Sequence, residues 1–415
     1  MTKYSTKSKE QKIVITEADG IESPIVSHYA ITKETAYKKE ALKEVKELLS
    51  KKYADEKITT EVAESALDGY LYKFHDIPFP GPNGSATFTF IDLFAGIGGF
   101  RLAMQSLGGK CVFSSEWDKE AQKTYLANFG ERPFGDITKE ETKQWIPKSF
   151  DVLCAGFPCQ AFSIAGKRGG FDDTRGTLFF DVATIIKRHK PKAIFLENVK
   201  GLVSHDKGKT LSTILNTLRE DLGYYVPEPQ IMNAKYFGVP QNRERIFIVG
   251  FRKDLGIEKF EYPKSDKIEK KVTDILEEKV VNAKYYLSTQ YLSTLVAHKK
   301  RHEGKGNGFG YEILKNDGVA NAIVVGGMGR ERNLVIDKRL KDFTPTTKIK
   351  GEVNREGIRR LTPREWARLQ GFPDTFKLEQ VADASAYKQF GNSVAVPAIR
   401  ATAKKVIDKL QIHHK

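Results

Sequence analysis

The sequence predicts an α/β chain built on a mostly parallel sheet with helices covering both faces. Three observations carry this. Short apolar runs alternate with helical patterns from Phe88 to about residue 258, a glycine-rich turn follows the first run, and no apolar stretch reaches membrane-spanning length.

In chain order, residues 1 to about 30 show no clear period and read as a loose leader. From Thr32 the pattern turns helical, with Leu42, Val45, Leu48 and Leu49 recurring among lysines and glutamates, then Ala63, Leu67, Leu71 and Phe74. The stretch DIPFPGPNGSA breaks this pattern with proline and glycine and marks a linker near residues 76–86. Residues 1–85 are therefore expected to form a small helical appendage with a solvated charged face. The alternation follows: FTFIDLF as strand, GGFRLAMQSLG as helix, CVFSSEWD as strand, DKEAQKTYLANFG as helix, and onward through FDVLCAG, TLFFDVATIIKRHK, KAIFLENV and KTLSTILNTLREDL. A large domain over 86–258 is then interrupted by a basic, glycine- and asparagine-rich insert at 259–350. The segment 351–415 returns helical patterns to the large domain.

The chain has 415 residues, a formal net charge of +15 and three cysteines without a CxxC pair. That usage argues against a disulfide framework and against a zinc cluster. The charge suggests a polyanionic partner. The polar N-terminus does not read as a signal peptide, so a cytoplasmic protein with no membrane association is expected.

Chemistry-bearing residues gather where strands end. Phe94, Gly96, Gly98 and Gly99 form a turn at which the backbone can approach a ligand closely. Glu116 lies twenty residues beyond Gly96, at the end of the next strand, where a carboxylate can accept hydrogen bonds from ribose hydroxyls. Trp117 offers a flat face for an adenine ring. The third glycine comes too early for a dinucleotide fingerprint, which points to an adenosine-type cofactor lacking phosphates. Cys159 follows Pro158 beyond another strand, and Glu197 and Asn198 end the neighbouring one, so a thiol and a carboxyl group are expected to face one crevice. On residue type alone Cys159 reads first as packing, with metal ligand and nucleophile as the alternatives. Arg243 and Arg245 alternate just before an apolar run, which aims both guanidiniums at one site.

Eight stretches, in order and sensibly spaced, carry a resemblance: FIDLFAGIGGFRLA, EWD, GDIT, AGFPCQAFS, ENVKGL, PQNRERI, LTPREWARLQGFP and YKQFGNSV. From Phe88 to the C-terminus, the insert excepted, the chain resembles a DNA (cytosine-5)-methyltransferase of the bacterial restriction–modification type. The resemblance implies a Rossmann-like, S-adenosylmethionine-dependent mixed sheet with helices on both faces, plus a smaller target-recognition domain. It implies that Cys159 is a nucleophile toward carbon 6 of cytosine, that Glu197 meets ring nitrogen 3, and that Arg245 and Arg243 hold the base. The cofactor contacts it implies are Phe94, Gly96, Gly98, Glu116, Trp117, Asp136, Ile137, Pro158, Asn392 and Ser393. The stretch from Gln160 to Arg175 resembles the family's closing loop, with Gln160, Ser163, Lys167 and Arg168 as DNA contacts. In the insert, NAIVVGGMGRERN resembles a recognition core in which Ala322 replaces a frequent threonine, and Arg330 and Arg332 are set to meet guanine edges or phosphates. The partners implied are double-stranded DNA and a paired restriction endonuclease, with the protein a monomer on DNA. Two alternatives stay open at this level: a transfer-RNA cytosine-5 methyltransferase, and a non-catalytic DNA-binding relative.

Overall fold

The structure is a computed structural model that describes residues 23–53, 58–73, 76–82, 85–158, 178–265, 270–304, 310–326, 330–344 and 351–412. Three N-terminal helices come first: α1 (Pro24–Thr32), α2 (Thr35–Lys52) and α3 (Thr60–Lys73). The alternating region then lays down β1 (Phe88–Leu93), α4 (Gly99–Gln105), β2 (Gly109–Ser115), α5 (Lys119–Phe129), α6 (Glu140–Lys143), β3 (Val152–Gly156), α7 (Leu178–His189), β4 (Ala193–Val199) and α8 (Lys209–Asn216). Next come β5 (Tyr224–Tyr225), β6 (Gln230–Asn233), β7 (Gln241–Asn242) and β8 (Glu244–Arg252). The remainder holds α9 (Thr289–Glu303), β9 (Ala320–Asn321), β10 (Leu334–Ile336), β11 (Ile358–Arg360), α10 (Pro363–Leu369), α11 (Asp383–Asn392) and α12 (Val396–Ile412).

Among the described residues the main sheet has seven strands in the order β2-β1-β3-β4-β8-β5, with β6 also on β8. The β2, β1, β3 and β4 neighbours pair in parallel, while β8 runs antiparallel to β4, β5 and β6. The sheet is thus mixed, with its parallel half nearest the N-terminus of the fold. Strand alternation sorts side chains between two apolar layers. On β3, β4 and β8, Cys154, Phe195 and Val249 point to the layer holding α4, α5 and α10–α12. Leu153, Leu196 and Ile248 point to the layer holding α7, α8 and the N-terminal helices. Asp118 starts α5 by accepting from the N–H groups of Glu120 and Ala121, and Gly130 ends it at φ 73°.

The N-terminal segment is not an appendage. The sequence shows no period over residues 23–32 because α1 is buried nearly all round, with Ile25, Val26, Ser27, His28, Ala30 and Thr32 inside, so it has no polar face to set a rhythm. Helix α2 turns Tyr37, Ala41, Val45 and Leu49 inward at four-residue steps, and α3 adds Ala63, Ala66 and Leu67. These side chains share one core with Val112 and Phe113 of β2. Of the predicted α3 stripe, the side chains of Leu71 and Phe74 lie outside the described residues.

Polar contacts lock the same contact surface. The Tyr37 hydroxyl donates to Val112 O at 2.8 Å, and the His28 ring packs on Phe134 with centroids 4.7 Å apart. Buried Glu131 takes Arg101 Nη2 at 2.6 Å on one side and meets His28 Nε2 at 3.3 Å on the other. Burial pushes the His28 pKa down, against the opposing pull of Glu131.

The expected insert boundaries also shift. Ile257, Phe260, Val272 and Ile275 belong to the main core, so the chain does not leave the large domain at 259. At the other end, β10 pairs with β11, and Val353 and Ile358 fill the small unit's own apolar clusters, so residues beyond 350 still belong to it. The Lys- and Arg-rich composition marks the surface of the insert and says nothing of these apolar ends. No helix is long and apolar enough to cross a membrane among the described residues.

Arg101 and Glu131 are both almost wholly buried. Replacing Glu131 with Ala removes the guanidinium's ion-pair partner, and the expected cost is about 3–5 kcal/mol. Urea unfolding of the Glu131→Ala variant measures it.

Candidate active site and its cofactor pocket

A cavity of about 690 Å³ opens beyond the carboxyl ends of the parallel strands. Its floor is the turn after β1. Phe94 and Gly96 both adopt φ 55°, a left-handed geometry that costs a side-chain-bearing residue energy and is often held at functional turns. The Gly96 N–H donates to Glu116 Oε2 at 2.8 Å, while Oε1 takes the Asp118 N–H at 2.7 Å. Each Glu116 oxygen keeps a lone pair for a further donor. Trp117 is 73% exposed and lines the cavity, as do Asp136, Ile137, Pro158, Asn392 and Ser393. Asp136 Oδ1 accepts the Thr138 N–H at 2.9 Å, which fixes that carboxylate against the wall. Lys388 and Asp118 pair at 2.6 Å across the rim.

Gly98 does not line this cavity. It caps α4 at φ 85°, and a Cβ there would come within 2.3 Å of the Phe129 ring. Its lack of a side chain serves the packing of α4 against α5.

The far wall carries the polar chemistry. Val199 of β4 lies opposite Arg245 of β8, and Glu197 sits one pleat back on the same face. This brings Arg245 Nε within 3.2 Å of Glu197 Oε1. Burial pushes the Glu197 pKa up, and the charges of Arg245 and then Arg243 offset this only in part. The carboxyl group therefore holds a proton more readily than an exposed glutamate does. Asn198 was expected in the crevice without a task. Its Nδ2 donates to Phe157 O at 2.8 Å, and its Oδ1 accepts the Val199 N–H at 2.8 Å. It pins the chain two residues before Cys159. Cys159 itself lies outside the described residues, as do Gln160, Ser163, Lys167 and Arg168.

The placement of Arg243 corrects the sequence reading. It lines the cavity, but Nη1 donates to Ile323 O at 2.9 Å, and Nη2 donates to Gly391 O at 3.2 Å and Ser393 O at 2.6 Å. Those N–H groups are spent on main chain and are not free to hold a base. Arg330 and Arg332 are exposed and lie outside the cavity. Arg330 stacks over the Tyr387 ring at 5.3 Å, and the Arg332 carbonyl takes Asn321 Nδ2.

The remaining two cysteines are free and buried. Burial pushes the Cys111 thiol up to about 12 and Cys154 well above its usual value. Cys154 is thus packing, as expected of a thiol in the middle of an apolar strand.

The model of the C-5 cytosine-specific DNA methylase family matches residues 88–408. The chain belongs to that family. It is 75% identical over 335 residues to the Type II methyltransferase M.HpaII of Haemophilus parainfluenzae, covering 80% of this chain and 93% of that protein. It is 48% identical over 330 residues to M1.ScrFI of Lactococcus lactis subsp. cremoris, covering 79% of this chain and 80% of that one. Among solved structures, the Dnmt2 methyltransferase of S. pombe superposes with a TM-score of 0.58 at 18% identity, over 78% of this chain and 99% of that one, which speaks to the fold alone. The methylase transfers a methyl group from S-adenosylmethionine to carbon 5 of cytosine in DNA. The two alternatives, a transfer-RNA enzyme and a non-catalytic binder, fall away.

The cavity suits that cofactor. Glu116 retains lone pairs that can accept from ribose hydroxyls, and Trp117 presents an open aromatic face that can meet a base. Removing the Glu116 carboxylate should weaken S-adenosylmethionine binding by about tenfold or more, the scale of hydrogen bonds to a charged acceptor. Calorimetry on Glu116→Ala and on the milder Glu116→Gln checks this, with unchanged melting as the control.

Below the same turn lies Asp92, buried on β1 with both oxygens lacking a hydrogen-bond partner among the described residues. Burial pushes its pKa up to about 8, and the neighbouring Arg101 counteracts this only partly. The folded state thus keeps the proton after the unfolded chain has released it. Stability from this group is complete below about pH 4 and declines as pH rises to about 8. Asp92→Asn should flatten that decline, read as melting temperature at pH 5, 7 and 8.5.

Proposed function

We propose that the methylase modifies cytosine within a specific sequence of double-stranded DNA, and that it protects that sequence from a paired restriction endonuclease. The Type II names of its relatives support the second part. The observation that carries the first is the Glu197–Arg245 pair, its carboxyl group buried and its guanidinium half-buried, which shares one cavity with the Glu116–Trp117 wall behind Pro158.

In this reading the target cytosine leaves the stack, at a cost of a few kcal/mol, and enters between Pro158 and the β4–β8 wall. The Cys159 thiolate forms a bond to carbon 6. The ring electrons move toward nitrogen 3, where the Glu197 carboxyl group, whose hold on a proton burial strengthens, shares its proton. Arg245 fixes Glu197 through Nε, spends an Nη1 hydrogen bond on Glu244 O at 2.8 Å, and offers Nη2 to the carbonyl oxygen of the base. S-adenosylmethionine, when bound, supplies the electrophilic methyl group that carbon 5 then accepts. Loss of the carbon-5 proton to a base and release of Cys159 restore the aromatic ring. Asn198 holds the approach to Cys159 in register with the carboxyl group.

The basic insert is assigned to sequence recognition. Both candidate arginines are exposed, and Arg332 is the better placed of the two because Arg330 is stacked on Tyr387. The protein is taken to act as a monomer on DNA.

Fluorine at carbon 5 cannot leave as a cation, so DNA carrying 5-fluorocytosine should give a denaturant-stable complex that requires S-adenosylmethionine. Peptide mapping should place the link on Cys159 and leave Cys154 untouched. Cys159→Ser should lose both trapping and turnover, because an alcohol is a far weaker nucleophile than a thiolate near neutral pH. A link on Cys154, or full turnover by the serine variant, overturns the assignment.

A further inference from the structure

A buried polar knot lies behind the reacting wall, and the chemistry above gives it no task. Arg243 is 2% exposed, and its three donated hydrogen bonds end on carbonyls of Ile323, Gly391 and Ser393. Gln241, two residues earlier, accepts the Ile323 N–H at 3.0 Å and donates to Leu369 O at 2.8 Å. The N–H and the C=O of Ile323 are therefore both held by side chains from one short stretch of the large domain. Gln370 completes the knot, donating to Phe390 O at 2.8 Å and to Ser393 O at 3.1 Å.

The two sides of this knot belong to different tasks. Gly391 and Ser393 line the cofactor cavity. Ile323 opens the glycine-rich stretch of the insert, and the next two residues, Val324 and Val325, are 44% and 46% exposed. Contact between the sides is close. A Cβ built on Gly391 would lie 2.8 Å from Val325 Cγ2 and 3.2 Å from Val325 N. Burying a guanidinium on neutral carbonyls is expensive, and an apolar side chain would fill the space at lower cost. What the arginine adds is a rigid fork that spans three carbonyls on two segments far apart in sequence.

We propose that Arg243 is a positioning residue: it locks the Ile323–Val325 segment to the Gly391–Ser393 wall, so that DNA held by the insert and cofactor held by the wall tighten one another's binding. Either ligand orders a segment to which the other's segment is tied, and the coupling is reciprocal. The inference rests on the reading of the insert as the DNA-engaging unit.

The test uses the full-length protein, S-adenosylhomocysteine, and an unmethylated duplex carrying the site mapped by bisulfite sequencing. Calorimetry gives the S-adenosylhomocysteine affinity with and without the duplex. In the unaltered protein the duplex should tighten it by about fivefold or more. Arg243→Met should bring that ratio to within about twofold of one, whatever its effect on the affinity without DNA. Should Arg243→Met fail to fold, Gly391→Ala decides, since its methyl group pushes Val325 off the wall with the guanidinium still in place. It too should lower the ratio. A ratio near one in the unaltered protein, with duplex binding intact, overturns this inference alone. So does an undiminished ratio in folded Arg243→Met or in Gly391→Ala. Selective duplex binding that survives deletion of the insert overturns the reading beneath it.

Discussion

The antiparallel pairing of β8 against β4 is the constraint on which the Glu197–Arg245 wall of the cavity depends. Parallel strands bring together chain segments that all point toward the same crevice, and they deliver Glu116 from the end of β2 and Glu197 from the end of β4. They cannot by themselves bring in a residue from the start of a strand. Reversing β8 does so. The first residues of β8 lie beside the last residues of β4, so Arg245 reaches Glu197 across one ladder. A one-residue slip in that register would turn Arg245 to the opposite face, into the apolar layer beneath α7 and α8. The buried apolar runs IFL on β4 and IFIV on β8, each split between two cores, hold the register in place.

Much of the fold was legible in the sequence because the alternating region obeys short-range rules. The runs FTFIDL, VLCAG and AIFLENV are strands where their apolar, β-branched character says so, and α5 starts at an Asp N-cap and stops at glycine. The N-terminal helices were not legible in their true role. Amphipathic spacing in α2 reveals that one face is buried, yet not against what, and α1 has no spacing to read. Nothing local in the sequence announces that His28 and Tyr37 sit on β2, because that contact spans more than seventy residues.

The candidate site divides along the same line. Residues at strand ends, such as Glu116, Glu197 and Arg245, followed from position alone. Gly98 and Arg243 did not, because a motif position looks the same whether its residue faces a ligand or secures packing. Gly98 is required by the Phe129 ring, and Arg243 by three carbonyls, and both partners are distant in sequence. Asn198 shows the reverse case. It stands beside an obvious carboxylate, and its task became visible only with the Phe157 carbonyl in place.

The burial of two thiols has a further meaning for the bench. Cys111 and Cys154 carry protons that the interior holds far more tightly than water would, and thiol reagents attack the deprotonated form. In the folded chain both are also walled off by the apolar layer between the sheet and α4. Of three cysteines, then, the native protein can offer at most one to an alkylating reagent. A labelling stoichiometry above one would count unfolded molecules, which makes simple thiol titration a gauge of how much of a preparation is correctly folded.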